Sequence, residues 1–175
     1  MEKLKRSHGV SFAWRSFELR PPASLPIPPE YRARIEAKRP YLVAVAREHY
    51  GLEINPGPFG ASSRPALVGA KCAEAQGASE AYHAAVLKAY WQQACAIDDR
   101  EVLAAIAAEV GLERSAFLAA LNMPEYEAAV LADVEQAYLY GLSGVPALIF
   151  NNKYLVSGAQ SYEILGQIVD QIASS

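Results

Sequence analysis

The stretch that most restricts the fold lies near the end of the chain. Ser143-Gly144-Val145-Pro146 runs straight into the apolar segment Ala147-Leu148-Ile149-Phe150. Proline has no N–H to give a β-ladder, so it suits a strand entrance or a bend and is excluded from a central strand. An X-Pro bond in such a tight place is also the usual site of a cis peptide. Asn151-Asn152-Lys153 reads as a turn and Tyr154-Leu155-Val156 as the return strand. Ser157-Gly158-Ala159-Gln160 then leads into a closing amphipathic helix. The C-terminal end is therefore predicted to be a β-hairpin and a helix, entered through a proline-bearing loop.

A second β signal lies far upstream. Val10 to Leu19 is rich in aromatic and β-branched residues and partly alternates, which predicts a strand. The five prolines between Pro21 and Pro29 end it in an extended connector. Helical patterns fill the space between. Glu30 to Tyr50 is predicted helical, with Pro40 kinking or dividing it and Gly51 closing it. Asn55 to Gly60 is a loop. Ser63 is expected to cap a helix reaching Gln76, and Ser79 to open another reaching Ala94. Asp98 and Glu101 have capping-box spacing ahead of a helix that ends at Gly111. Short helical patterns follow from Glu113 to Leu121 and from Pro124 to Tyr140. Because the β signals flank this block and must pair to make a sheet, the block reads as an insertion in an α/β fold.

Composition excludes several functions. The net charge is −3, with no basic excess for nucleic acid and no polybasic cluster for anionic lipid. The apolar runs fall far short of the roughly 18–20 residues that span a bilayer, so no membrane partner is expected. Met1 to His8 is charged and no apolar signal core follows it, which leads to the expectation of a cytoplasmic protein. The two cysteines, Cys72 and Cys95, are too few for a secreted disulfide scaffold.

The candidate chemistries thin out in the same way. Cys72 sits well inside a predicted helix among Val68, Ala73 and Ala75, and reads as a small buried apolar residue. Cys95, at a helix end, reads as core or interface. His49 and His83 have no ligand-spaced partners and His8 stands near the start, so no metal or other cofactor is expected. Ser143 has neither a nearby base nor a Gly-x-Ser-x-Gly setting for a hydrolase nucleophile, and no phosphate loop occurs. Tyr82, Tyr90, Trp91, Tyr138 and Tyr140 read chiefly as core or interface packing.

Four motifs, taken in order, carry a family resemblance. They are Trp14-Arg15-Ser16-Phe17-Glu18-Leu19-Arg20-Pro21, Ala107-Ala108-Glu109-Val110-Gly111-Leu112, Ser143-Gly144-Val145-Pro146 and Val156-Ser157-Gly158-Ala159-Gln160. Together they resemble the DsbA-like thioredoxin family. The closest likeness is to its FrnE-like subgroup, related to 2-hydroxychromene-2-carboxylate isomerases and kappa transferases. The resemblance implies an α/β fold: a thioredoxin-like sheet with a large α-helical insertion, its first strand and the start of its first helix preceding Met1. The implied parts are residues 1–22 and 123–175 for the thioredoxin-like fold and 23–122 for the insertion.

It also implies thiol–disulfide oxidoreductase chemistry, a thiolate attacking a disulfide held beside the cis-proline loop. The partners would be a thiol or disulfide protein or a glutathione-like small substrate. Gly144, Val145 and Pro146 would position the substrate by backbone pairing, with Phe17 and Phe59 as weaker candidates for the cleft wall. The family's Cys-x-x-Cys begins its first helix, whereas here the only cysteines are 23 positions apart. No catalytic residue is therefore assigned, and the chain as given is expected to be redox-inactive or impaired. The alternatives are a non-redox binding module for a peptide or small molecule, and a glutathione-dependent isomerase with serine replacing cysteine. A sheet without that first strand has open ladder edges, which predicts either a homodimer or a rearranged strand at residues 10–19.

Overall fold

A computed structural model describes residues 1–22 and 24–174. In chain order the described elements are α1 (Glu2–His8), α2 (Pro29–Tyr50), α3 (Arg64–Ala75), α4 (Ser79–Gln92), α5 (Arg100–Glu109), α6 (Arg114–Ala120) and α7 (Pro124–Leu139). They are followed by β1 (Ala147–Phe150), β2 (Tyr154–Ser157) and α8 (Tyr162–Ala173). The chain divides into two units. Met1–Leu19 and Asp133–Ser175 make the first, and Arg20–Ala132 the second. No helix among the described residues is long and apolar enough to cross a membrane.

In the first unit the hairpin forms as its pattern predicts. β1 and β2 pair antiparallel, with Phe150 opposite Tyr154 and Ala147 opposite Ser157. The turn needs two successive residues at positive φ, and Asn151 (50°) and Asn152 (56°) supply them. Asparagine tolerates this region because its short polar side chain can bond locally. The Lys153 N–H closes the turn on the Phe150 carbonyl at 2.9 Å. Ser161 caps α8, its hydroxyl accepting from the Ile164 N–H at 3.3 Å. Helix α8 packs on α1, where Leu4 is buried. Gly166 makes this approach possible, since a Cβ there would lie 3.2 Å from the His8 ring.

The predicted strand at Val10–Leu19 does not form. Among the described residues the sheet consists of β1 and β2 alone, so residues 10–19 have no ladder partner. Their period-two pattern nevertheless survives. Ser16 and Glu18 are buried while Arg15 and Leu19 are exposed. The segment is held by a side chain in place of a strand: buried Asp133 on α7 accepts from the Ser16 N–H at 2.8 Å and from Arg15 Nη1 at 3.4 Å. A carboxylate thus satisfies a donor that a neighbouring strand's carbonyl would otherwise take.

The second unit is all helical and contains the main core. Tyr82, Leu103 and Phe117 are fully buried among alanines 66, 73, 89, 104, 107 and 120. The alanines let α3, α4, α5 and α6 approach closely, and the three large side chains fill the remaining space. Burying a side chain such as Phe117 contributes roughly 1.5–3 kcal/mol.

Several boundary expectations are corrected here. Pro40 does not divide α2, which runs unbroken from Pro29 to Tyr50. The carbonyl that Pro40 cannot satisfy belongs to exposed Glu36, where water can take the missing bond. Ser63 occupies the N-cap position of α3 without capping it. Its neighbour Ser62 accepts from the Arg64 N–H at 3.3 Å. The cap of α5 is Asp99, one residue later than predicted, accepting from the Glu101 N–H at 2.8 Å. Glu101 does not close a capping box and instead pairs with Arg114.

Candidate substrate-binding site

Helix α7 delivers the chain to the proline loop through a glycine turn. Gly141 takes φ 72°, and the Leu142 N–H reaches back to the Ala137 carbonyl at 3.0 Å while the Gly141 N–H bonds Tyr138 at 2.9 Å. This double bond pattern closes a helix end when the residue after the cap is left-handed, a conformation that costs glycine little. Ser143, Gly144 and Val145 follow, and the Val145–Pro146 peptide is cis. Below the loop, the Gly158 N–H bonds the Pro146 carbonyl at 2.9 Å, and the Gln160 amide bonds the Ser157 carbonyl at 3.1 Å.

These elements enclose an open cleft of about 230 Å³, lined by residues 141–146 with Leu155, Ser157 and Gly158. Val145 is 50% exposed at its rim. Among the described residues neither the N–H nor the C=O of Val145 has a hydrogen-bond partner. No titratable side chain lines the cleft. It can offer backbone groups, two hydroxyls and apolar walls, but no general acid, general base or thiolate. The arrangement can bind an extended polar backbone; by itself it cannot move protons or electrons.

The other residues singled out from the sequence are placed as follows. Gly144, Val145 and Pro146 all line this cleft, whereas Phe17 does not. Its ring packs edge-on against Tyr138 at 6.3 Å. Phe59 lies in the second unit, where the Arg32 guanidinium sits 5.2 Å from its ring. Tyr82 belongs to the second unit's core, but Tyr138 is 55% exposed and does not pack as a core residue. Leu155 and Ser157 were not anticipated. The signal was available, because alternation along β2 turns 155 and 157 to one exposed face and 154 and 156 to the other.

Both cysteines are free and both lie in the second unit. Burial pushes the Cys72 thiol up, opposed by the Gln76 amide that donates to its sulfur at 3.2 Å. A thiol held protonated in this way is a poor nucleophile. Cys95 is half-buried and lies 3.7 Å from the Gln93 carbonyl. Burial likewise lowers the pKa of His83. Among the described residues no group of three or more His, Cys, Asp or Glu side chains could hold a metal ion.

A hairpin entered through a proline loop, with a helix behind it and an all-helical block inserted upstream, defines a thioredoxin-like fold with a helical insertion. Residues 1–170 match the DSBA-like thioredoxin domain, and the chain belongs to that family. It is 25% identical over 174 residues to YwbO of Bacillus subtilis strain 168, covering 96% of this chain and 85% of that protein. The structure of a probable DsbA oxidoreductase from Streptomyces coelicolor matches at 27% identity with a TM-score of 0.77, over 92% of this chain and 74% of the other. A 2-hydroxychromene-2-carboxylate isomerase matches in fold, at 19% identity and a TM-score of 0.80, over 98% of this chain and 86% of the isomerase.

Proposed function

We propose that this chain is a DsbA-like member of the thiol–disulfide oxidoreductase class whose own 175 residues perform the substrate-holding half of the task. The observation that carries this reading is the Val145 backbone. It is exposed at the rim of a cleft, with donor and acceptor both free among the described residues. An extended segment of a thiol or disulfide protein pairs with those two groups as an added strand does, while Leu155 and the Pro146 ring give it an apolar floor. The space beside Gly144 is open, with nothing within 4 Å of where a Cβ would stand. Phe17 acts outside the cleft, through its packing on Tyr138.

Within these residues no Cys-x-x-Cys occurs, the cleft has no thiol, and Cys72 is held protonated by burial. The 175-residue polypeptide is therefore a binder of such substrates and does not turn them over. The free, widely separated cysteines support a reducing, cytoplasmic setting. Each hairpin strand pairs only with the other among the described residues, so an outer ladder edge remains open and supports self-association.

Two measurements test the reading. Insulin reduction by the 175-residue protein should not rise above the background of the added thiol; robust turnover would overturn the binding-only role. Addition of alkylated insulin B chain should shift the amide resonances of Val145 and Gly158 saturably. No shift at those amides would remove the substrate-holding role. Shifts produced by glutathione alone would move the reading to the glutathione-dependent isomerase.

A further inference from the structure

The ladder of the hairpin leaves one row of β1 backbone groups facing away from β2. The Gly158 N–H donates to the Pro146 carbonyl and the Lys153 N–H to the Phe150 carbonyl, both at 2.9 Å. In the observed register these are alternate positions, so the bonds from β1 to β2 fall at 146, 148 and 150. Ala147 and Ile149 lie opposite Ser157 and Leu155 and turn their N–H and C=O outward. Among the described residues no third strand takes them. They continue the line begun at Val145, whose N–H and C=O are also without a partner among the described residues.

The side chains along this edge set what can lie there. Ala147, Leu148, Ile149 and Phe150 are all apolar and all half-buried, so both faces of β1 still have apolar surface to cover. A two-stranded hairpin is marginal by itself in water, and a further strand with apolar side chains adds what it lacks. Edge strands are ordinarily blunted by a charge, an internal proline or a bulge. The segment Ala147–Phe150 has no charge and no proline, and its register runs without a bulge. No titratable side chain lines the adjoining cleft either. A charged side chain brought to this edge would lose water and gain no counter-charge there.

We infer that the edge from Val145 through Ile149 takes an extended, uncharged, apolar segment of an unfolded polypeptide as a third strand, and that the segment needs no thiol. The inference rests on the substrate-holding reading of Val145 and names the class of segment held. Backbone bonds at Val145, Ala147 and Ile149 supply the attraction, and β-branched or aromatic side chains on either face cover β1. Folded proteins bury segments of this kind, so the partner is a chain that has not folded. A second copy of this chain is the competing occupant. At about 13 Å the strand is ample for a peptide of about five residues. It is short for the roughly 1,200–2,000 Å² that a stable interface between proteins buries. Self-association is thereby left to the outer edge of β2.

The experiment is amide hydrogen exchange on the whole protein with a cysteine-free peptide, acetyl-Lys-Ser-Val-Ile-Val-Tyr-Val-Ser-Lys-amide. Bound peptide should slow exchange at Val145, Ala147 and Ile149 by about fivefold or more, with a Kd on the order of 100 μM. Leu148 and Phe150, already bonded to β2, should change little. The same peptide N-methylated at alternate residues should bind about tenfold more weakly, because it cannot donate along one edge. So should the parent peptide with Ile149→Pro, since a proline there removes an outward N–H and no bond to β2. If Ile149→Pro fails to fold, the comparison of the two peptides on wild type decides alone. Equal binding of the N-methylated and parent peptides overturns the inference. Slowing at Val145 alone overturns it while leaving the substrate-holding reading intact, and no slowing at any of the three positions removes both. Protection of Ala147 and Ile149 that rises with protein concentration in the absence of peptide also overturns it, because a second copy then holds the edge.

Discussion

The hydroxyl of Tyr82 gives the sharpest test of how the helical unit is held together. Tyr82 is 1% exposed and packs its ring on Phe117 at 5.4 Å, yet among the described residues its Oη has no hydrogen-bond partner. A buried polar group left unsatisfied costs about 1–3 kcal/mol relative to the solvated unfolded chain. Tyr82→Phe removes that cost and keeps the ring contacts, so it should stabilise the protein by about 1–2 kcal/mol at pH 7. That gain corresponds to a rise in Tm of roughly 2–8 °C for a chain of this size.

The pH dependence adds a second signature. Burial first, and the nearby Cys72 second, raise the Tyr82 pKa well above its ordinary value of 10.0. The phenol must stay neutral when folded, whereas the unfolded chain can release its proton above pH 10. The wild type should therefore lose stability relative to Y82F as pH rises beyond about 10, at up to about 1.4 kcal/mol per pH unit. Below that pH the difference between the two proteins should be flat. Urea unfolding followed by far-UV circular dichroism at pH 7, 9 and 10.5 measures both effects. A Y82F protein less stable than wild type at pH 7, or a difference that does not widen above pH 10, would refute the reasoning. The first result would mean that the hydroxyl is satisfied in the folded protein, and the second that the fold does not hold the phenol neutral.

Three further perturbations follow from the same geometry. A Cβ at Gly69 would meet Tyr82 Oη at 2.3 Å and Phe117 Cζ at 2.7 Å. Gly69→Ala should therefore destabilise by about 1–3 kcal/mol despite better helix propensity, and the loss should shrink in a Y82F background, as a double-mutant cycle will show. Ala94 holds φ 58°, a left-handed conformation that strains a side chain. Ala94→Gly should raise the midpoint of urea unfolding, by about 1 kcal/mol in stability. Asp133→Ala removes the acceptor of the Ser16 N–H and should cost about 1–3 kcal/mol, with faster hydrogen exchange at Ser16. Asp133→Asn, which keeps a carbonyl oxygen, should lose less.

The parts of this structure legible in the sequence are those set by neighbours a few positions apart. The Asn-Asn turn, the proline at the strand entrance, the glycine after α2 and the helical periods all depend on local φ/ψ preference and spacing, so hairpin and helices could be read directly. Residues 10–19 could not, because their alternation states only which side faces inward. Whether a strand forms depends on a partner, and here a carboxylate 117 positions from Ser16 takes the donor instead. The cap of α5 moved by one residue because Asp98 and Asp99 are chemically equivalent candidates. Only the packed structure shows which one reaches an N–H.

The candidate sites divide in the same way. Residues 143–146 were visible as one contiguous motif, and so were the elements that flank them. Leu155 and Ser157 joined the cleft only when β2 folded back, and the same register decided that Ala147 and Ile149 turn their backbone groups outward. Local sequence determined the proline loop, the hairpin and the absence of a paired-thiol motif within these residues. Tertiary structure decided which charges meet, which backbone groups stay unpaired and which hydroxyl is buried without a partner. Desolvation and hydrogen-bond satisfaction are properties of an assembled environment, and no short window of sequence contains one.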